Sequence, residues 1–200
     1  MIAIIDYGMG NLRSVQKAFE AVGAQVRVTH IVEDILKADK VVLPGVGAMG
    51  PAMQKLQELS LTGPIRKVVQ DGKPFLGICL GLQLLFERSS EGGFAEGLKI
   101  LEGSVERFMD LKVPHMGWNQ VNIQPAGNQM FKGLSSGENV YFCHSYFVRL
   151  KDASIAAGST NYGIDFVSAV SQDNIWGVQF HPEKSQKAGL QILRNFAELK

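Results

Sequence analysis

The chain has 200 residues, of which 46% are apolar and 20% charged, with a formal net charge of +1. That balance fits one globular domain spanning residues 1–200. It argues against the strongly basic surface used to bind nucleic acid or an anionic membrane. The longest apolar run, residues 75–86, is interrupted by Gln83 and is too short to cross a bilayer. Residues 1–6 lack the basic start of a secretion signal, and the two cysteines, Cys79 and Cys143, show no disulfide-like spacing. A cytoplasmic, reducing location is expected.

In chain order, residues 2–5 are continuously apolar up to Asp6 and read as a strand buried on both faces. Residues 7–10 read as a turn. Asn11 is a good N-cap for a helix carrying Leu12, Val15, Phe19 and Val22, which Gly23 closes. A strand at 25–29, a short helix at 33–38 and a strand at 41–43 follow. The loop Pro44-Gly45-Val46-Gly47 leads to helices at 52–59 and 65–70. Pro74 opens a strand over 75–78, and apolar residues at 80, 82, 84, 85 and 86 predict a helix over 80–87. Alternation of strand and helix to about residue 88 predicts a mainly parallel sheet with helices on both faces.

The second half changes character. Strands are predicted at 98–101, 104–108, 121–123, 140–148, 155–158, 166–170 and 175–180, separated by turn signals. Ser185 begins a last helix with Leu190, Ile192, Leu193, Phe196 and Leu199 on it. The expected fold class is therefore α/β: an open, mainly parallel central sheet with helices on both faces, plus an antiparallel β portion in the second half.

Gly77-Ile78-Cys79-Leu80-Gly81 has the pattern of a nucleophile elbow, with sulfur in place of the hydroxyl. A strand that turns at once into a helix crowds its neighbours, so glycine is needed on both sides. The helix start favours thiolate over thiol. The competing reading is a small cysteine buried at a sheet edge. A cysteine nucleophile needs a base and a group that orients the base. His181-Pro182-Glu183, directly after the strand at 175–180, supplies both at the carboxyl edge of the sheet. Alone, it reads equally as a loop histidine beside an unrelated glutamate; beside Cys79 it completes a triad.

Of the other histidines, His30 reads as a solvated loop residue. His115 lies in the unusual loop sequence Val113-Pro114-His115-Met116-Gly117-Trp118-Asn119, and His144 points away from its neighbour Cys143. No metal is expected, since neither C-x-x-C nor H-x-x-x-H spacing occurs. The oxyanion donors are expected to be the backbone N–H of Leu80 and those of the loop Gly45, Val46 and Gly47. Gly8 to Arg13 is not a dinucleotide loop, because Arg13 occupies its third glycine position. Gly45 to Gly50 has the spacing, but residues 61–69 carry no acid for a ribose contact. No cofactor is expected.

With P-G-x-G, G-x-C-x-G and H-P-E in that order, the chain resembles the class I, triad-type glutamine amidotransferases nearly end to end. Four segments narrow the resemblance: Asp6 to Leu12, Pro114 to Asn119, Tyr141 to Tyr146 and His181 to Ser185. They resemble the branch of that family formed by the glutaminase subunits of imidazole glycerol phosphate synthase, in histidine biosynthesis. The resemblance implies the family's fold and the hydrolysis of L-glutamine to glutamate and ammonia by Cys79, His181 and Glu183. It implies that Gln83, Glu91, His144, Ser145 and Tyr146 hold the substrate. It also implies a heterodimer with a (β/α)8-barrel synthase subunit that receives the ammonia, with Asn11, Trp118, Tyr141 and Lys184 at the interface. The plain alternatives for those four are a helix cap, a core aromatic, a strand aromatic and a solvated lysine. Free ammonia protonates in water at neutral pH, so a shielded route to a tight partner is expected. Low glutaminase activity is expected until the partner and its ligand align the loop at Gly45-Val46-Gly47.

Overall fold

A computed structural model describes residues 1–199. Its first strand, β1 (Ile2–Ile5), shows how the sheet is filled. Ile2 and Ile4 face one core and Ala3 and Ile5 the other, and all four are buried. The alternation follows from the two-residue period of a strand with apolar side chains on both faces. After β1 come α1 (Leu12–Ala21), β2 (Val26–Thr29), α2 (Val32–Lys37), β3 (Lys40–Gly45), α3 (Met49–Glu58), α4 (Thr62–Gln70), β4 (Phe75–Cys79) and α5 (Leu80–Gln83). The second half contains β5 (Arg88–Ser89), β6 (Ala95–Glu96), β7 (Gly103–Arg107), β8 (His115–Ile123), β9 (Glu138–His144), β10 (Tyr146–Leu150), β11 (Ala156–Asn161), β12 (Asp165–Gln172), β13 (Ile175–Val178) and α6 (Gln186–Ala197).

One end of the sheet runs β2-β1-β3-β4-β13 with every pair parallel. Beyond β13 it continues mostly antiparallel through β12, β10 and β7, and β11 leads off to the β8–β9 hairpin. Helices α2, α3 and α4 cover the face that holds Ala3, Ile5 and Phe75. On the other face α1 and α6 meet through Phe19 and Phe196, whose ring centroids are 6.1 Å apart. The expected architecture is observed, including helices on both faces and the antiparallel second half.

Several local expectations are corrected. The helix expected over 80–87 is one turn, Leu80–Gln83. The backbone N–H groups of Leu98, Ile100 and Lys99 donate to the carbonyls of Leu84, Leu85 and Phe86 at 2.7, 2.8 and 3.2 Å. Those carbonyls are thus taken by a distant segment. That segment, expected as a strand at 98–101, is a bend whose hydrogen bonds go to this turn rather than to a sheet neighbour. The single strand expected at 140–148 is two strands broken at Ser145, because β9 pairs with β8 while β10 pairs with β7 and β12. Residues 115–119, expected as loop, are β-strand, held by the register of His115 with His144 and Trp118 with Tyr141. Pairing overrides local composition at these places.

Candidate active site

Cys79 ends β4 and caps α5 with φ 55° and ψ −110°, a strained conformation for a residue with a side chain. The flanking glycines follow from close packing. A Cβ on Gly81 would overlap the Leu43 carbonyl oxygen, and one on Gly77 would sit 2.7 Å from the Gly81 carbonyl oxygen. Strand β13 lies parallel beside β4, with Gly177 opposite Gly77 and Val178 opposite Ile78. The chain leaving β13 therefore carries Gln179 and His181 to the elbow.

His181 and Glu183 have side chains only 4% and 2% exposed, with Nδ1 of the ring 2.8 Å from the Glu183 Oε1. A carboxylate oxygen only accepts, so Nδ1 carries the hydrogen and the other ring nitrogen is free for Cys79. Burial alone pulls the His181 ring down. Hydrogen bonds to Cys79 and to Glu183, and the negative charge of both, outweigh burial and push it up to about 10. Cys79 and Glu183 together keep a proton on the ring beside the sulfur. The second carboxylate oxygen of Glu183 is buried without a partner.

A cavity of about 270 Å³ opens onto Cys79 and His181. Val46, Gly47 and Leu80, three of the four expected oxyanion residues, line it. Gly45 instead lies in β3, in register with Cys79. Gly47, at φ +98°, supplies the left-handed bend after β3 where the chain lines the cavity. The five expected substrate residues, Gln83, Glu91, His144, Ser145 and Tyr146, all line the same cavity. Gln83 spends its N–H groups on the Tyr146 carbonyl and on Gln179 Oε1, both at 3.0 Å, so its own oxygen is what it offers a ligand. Glu91 accepts the Met49 N–H at the start of α3 at 2.8 Å. A larger hollow, about 620 Å³, is lined by Pro74, Asn174 and Trp176 at the opposite ends of β4 and β13, away from Cys79.

Trp118, Tyr141 and Lys184 form one cluster. The two rings meet edge to face at 6.0 Å, and the Lys184 Nζ lies 5.6 Å from the Tyr141 centroid. Trp118 is 49% exposed, so it is not the core aromatic of the alternative reading. Lys184 also lines the cavity. Asn11 caps α1, its side chain accepting the Ser14 N–H at 3.3 Å.

Two site residues escaped the sequence reading. Gln179 is fully buried and donates to the Cys79 sulfur at 3.8 Å. A lone polar residue in the run Gly177-Val178-Gln179-Phe180 was the available signal. The Tyr7 hydroxyl is buried without a partner; burial, and then the Cys79 charge, hold it well above the usual phenol range. Nothing in the turn sequence Asp6-Tyr7-Gly8 marked it. Among the described residues, no three His, Cys, Asp or Glu side chains converge as metal ligands would, and no helix is long and apolar enough to cross a membrane.

Known proteins resemble this chain in both sequence and shape. Imidazole glycerol phosphate synthase subunit HisH of Syntrophotalea carbinolica is 55% identical, with all of both chains covered. The protein of the same name from Aquifex aeolicus is 53% identical over 96% of this chain and 94% of its own. A crystal structure of a glutamine amidotransferase has the same fold with a TM-score of 0.78 at 17% identity, covering both chains completely. The model of the glutamine amidotransferase class-I family matches residues 3–199. The chain thus belongs to the class-I glutamine amidotransferase family.

Proposed function

We propose that this chain is the glutaminase subunit of an imidazole glycerol phosphate synthase, with Cys79, His181 and Glu183 as its catalytic residues. The Cys79 thiolate adds to the side-chain amide carbon of L-glutamine. The oxyanion that forms is met by the backbone N–H of Leu80 and by those of Val46 and Gly47, in the loop that follows Gly45. His181 delivers its proton to the amide nitrogen, the C–N bond breaks, and ammonia leaves a γ-glutamyl thioester on Cys79. His181 then takes a proton from water, whose oxygen adds to the thioester carbon. The C–S bond breaks, glutamate departs, and the thiolate–imidazolium pair is restored. Glu183 keeps the ring in the tautomer that serves both steps. Gln83, Glu91 and the His144-Ser145-Tyr146 segment hold the amino and carboxylate ends of glutamine, both ring nitrogens of His144 being taken by His115 and the Tyr146 carbonyl.

The observation that carries this reading is one cavity lined by Cys79, His181, the Val46–Gly47 turn and Gln83. The ammonia passes to a (β/α)8-barrel synthase subunit bound as a heterodimer, which makes imidazole glycerol phosphate and aminoimidazole carboxamide ribotide. The half-exposed Trp118, with Tyr141 and Lys184 beside it and Lys184 reaching the cavity, supports placing that partner over the mouth of the site. Asn11 is assigned to the same interface. The test is glutamine hydrolysis by the chain with and without the barrel subunit and its ligand. Strong stimulation by both is expected; full activity of the chain alone would contradict the partner-dependent alignment of the Gly45-Val46-Gly47 loop.

A further inference from the structure

One unbroken hydrogen-bonded chain runs beneath the cavity from the β8–β9 hairpin to the nucleophile. Asn119 Nδ2 donates to the Asn161 carbonyl at 2.9 Å and to His115 Nε2 at 3.2 Å. His115 Nδ1 lies 2.9 Å from His144 Nε2, and His144 Nδ1 lies 2.8 Å from the Tyr146 carbonyl oxygen. The same carbonyl takes a Gln83 N–H, the other Gln83 N–H goes to Gln179 Oε1, and Gln179 Nε2 donates to the Cys79 sulfur at 3.8 Å.

Each role in this chain is fixed by the next. A carbonyl only accepts, so His144 carries its hydrogen on Nδ1 and leaves Nε2 bare. His115 must then donate from Nδ1 and accept from Asn119 at Nε2. Both imidazoles are therefore neutral. Their surroundings agree: His115 is stacked between Tyr162 and Phe142, with centroids 4.1 and 4.7 Å away and both rings tilted by 24°. His144 packs against Phe166 and Phe108 at 5.3 and 5.4 Å. Burial holds His115 down at about 4. Burial holds His144 at about 3 against the opposing hydrogen bond to the Tyr146 carbonyl, with the nearby His115 and His181 adding to the lowering. A proton on His144 Nε2 would face the His115 N–H and break the chain.

Tyr7 and His181 are coupled to the sulfur, with Glu183 behind His181; Glu91, Cys143, His144, Tyr146 and Lys184 share its cavity, and the Cys143 carbonyl oxygen lies 3.9 Å from it. Gln179 is the neutral donor among them. We propose that Gln179, with His115 and His144 behind it, is a positioning residue for the nucleophile: the chain aims the Gln179 N–H at the sulfur, favours its ionised form, and ties that bond to the hairpin that carries Trp118. The proposal rests on the reading of Cys79 as the nucleophile. A merely structural network would cost stability on disruption and leave the ionisation of Cys79 where it was.

The test is the pH profile of Cys79 alkylation by iodoacetamide in the full chain, read on the Cys79 peptide by mass spectrometry so that Cys143 does not contribute. For Gln179→Leu the rate near neutral pH is expected to fall about tenfold. The profile should move up by about one pH unit, with the high-pH plateau kept. His115→Phe keeps the stack between Phe142 and Tyr162 but cannot donate, and should shift the profile the same way by less. His115→Asn, whose amide N–H can stand in for Nδ1–H, should restore it. A folded Gln179→Leu chain with the wild-type profile would overturn the proposal. So would a shift in Gln179→Leu with none in His115→Phe. If Gln179→Leu does not fold, the His115 variants decide: a wild-type profile in His115→Phe overturns it. Glutamine hydrolysis surviving in Cys79→Ala is a separate outcome, which would remove the nucleophile assignment beneath it.

Discussion

Val178 of β13 lies in parallel register with Ile78 of β4, and this pairing carries His181 to Cys79 from the far end of the chain. Neither strand could place the pair alone. The elbow gives the sulfur its direction, and the neighbouring strand gives the imidazole its reach. Glu183, two residues on, then turns back to grip the ring at 2.8 Å.

The hydrogen bond to Cys79, and then that grip, set a pH dependence by outweighing burial. The folded His181 sits at about 10 against an ordinary 6.5, so the folded state holds this proton more tightly than the unfolded one. Its contribution to stability is fully present below pH 6.5 and is lost as pH rises through about 10. In Glu183→Gln this alkaline loss should flatten, and kcat should fall by about 10² to 10⁴ because the ring is no longer held. Thermal unfolding of both proteins from about pH 6 to about pH 10.5, with glutaminase kinetics of the complex, checks this.

The buried histidine pair predicts the opposite slope in acid. His115 and His144, at about 4 and about 3 when folded, must be neutral in the core, while the unfolded chain protonates near 6.5. Their contribution is present above pH 6.5 and is lost as pH falls toward those values. The melting temperature should drop by about 5 °C or more between about pH 6.5 and about pH 4.5, and His115→Phe should lose part of that slope. Calorimetry across this range decides it.

Two glycines should respond unequally to alanine. A Cβ at Gly81 would overlap the Leu43 carbonyl oxygen, so Gly81→Ala should cost about 3 kcal/mol or more, or prevent folding. Gly63, in α4, meets nothing beyond its chain neighbours, but it precedes Pro64, whose ring crowds a Cβ on a helical residue and offsets the helix-propensity gain; Gly63→Ala should change stability by less than about 1 kcal/mol. Urea denaturation of the two variants gives both magnitudes.

Trp118→Ala separates the proposed interface with the proposed barrel subunit from the fold. Nearly half of this side chain is exposed, at 49%, so the isolated chain should keep its stability within about 1 kcal/mol. Affinity for the barrel subunit should weaken by about 2 kcal/mol or more, as for a buried aromatic anchor. Titration calorimetry of the two subunits measures the loss.

Elements held by their own composition were legible. The apolar run of β1, the Asn11 cap of α1 and the helical spacing of α6 each specify local structure without help. The elbow was legible because its two glycines bracket the cysteine within five residues, although only Gly77 answers to a local contact and Gly81 answers to Leu43 on β3. Elements decided by distant partners were not. The turn after Gln83 is shaped by Leu98, Lys99 and Ile100, and the strand at His115–Asn119 exists because Val140–His144 pairs with it. Gln179 escaped notice because its role depends on the β4–β13 pairing, which no stretch of sequence displays by itself.

The most direct measurement is acid-quenched mass spectrometry of the glutamine-turning complex, alongside its rate of ammonia release. A γ-glutamyl thioester on the Cys79 peptide is expected, with ammonia release falling at least about 10³-fold in a folded Cys79→Ala complex. Ammonia release near the wild-type rate from that variant would contradict the account.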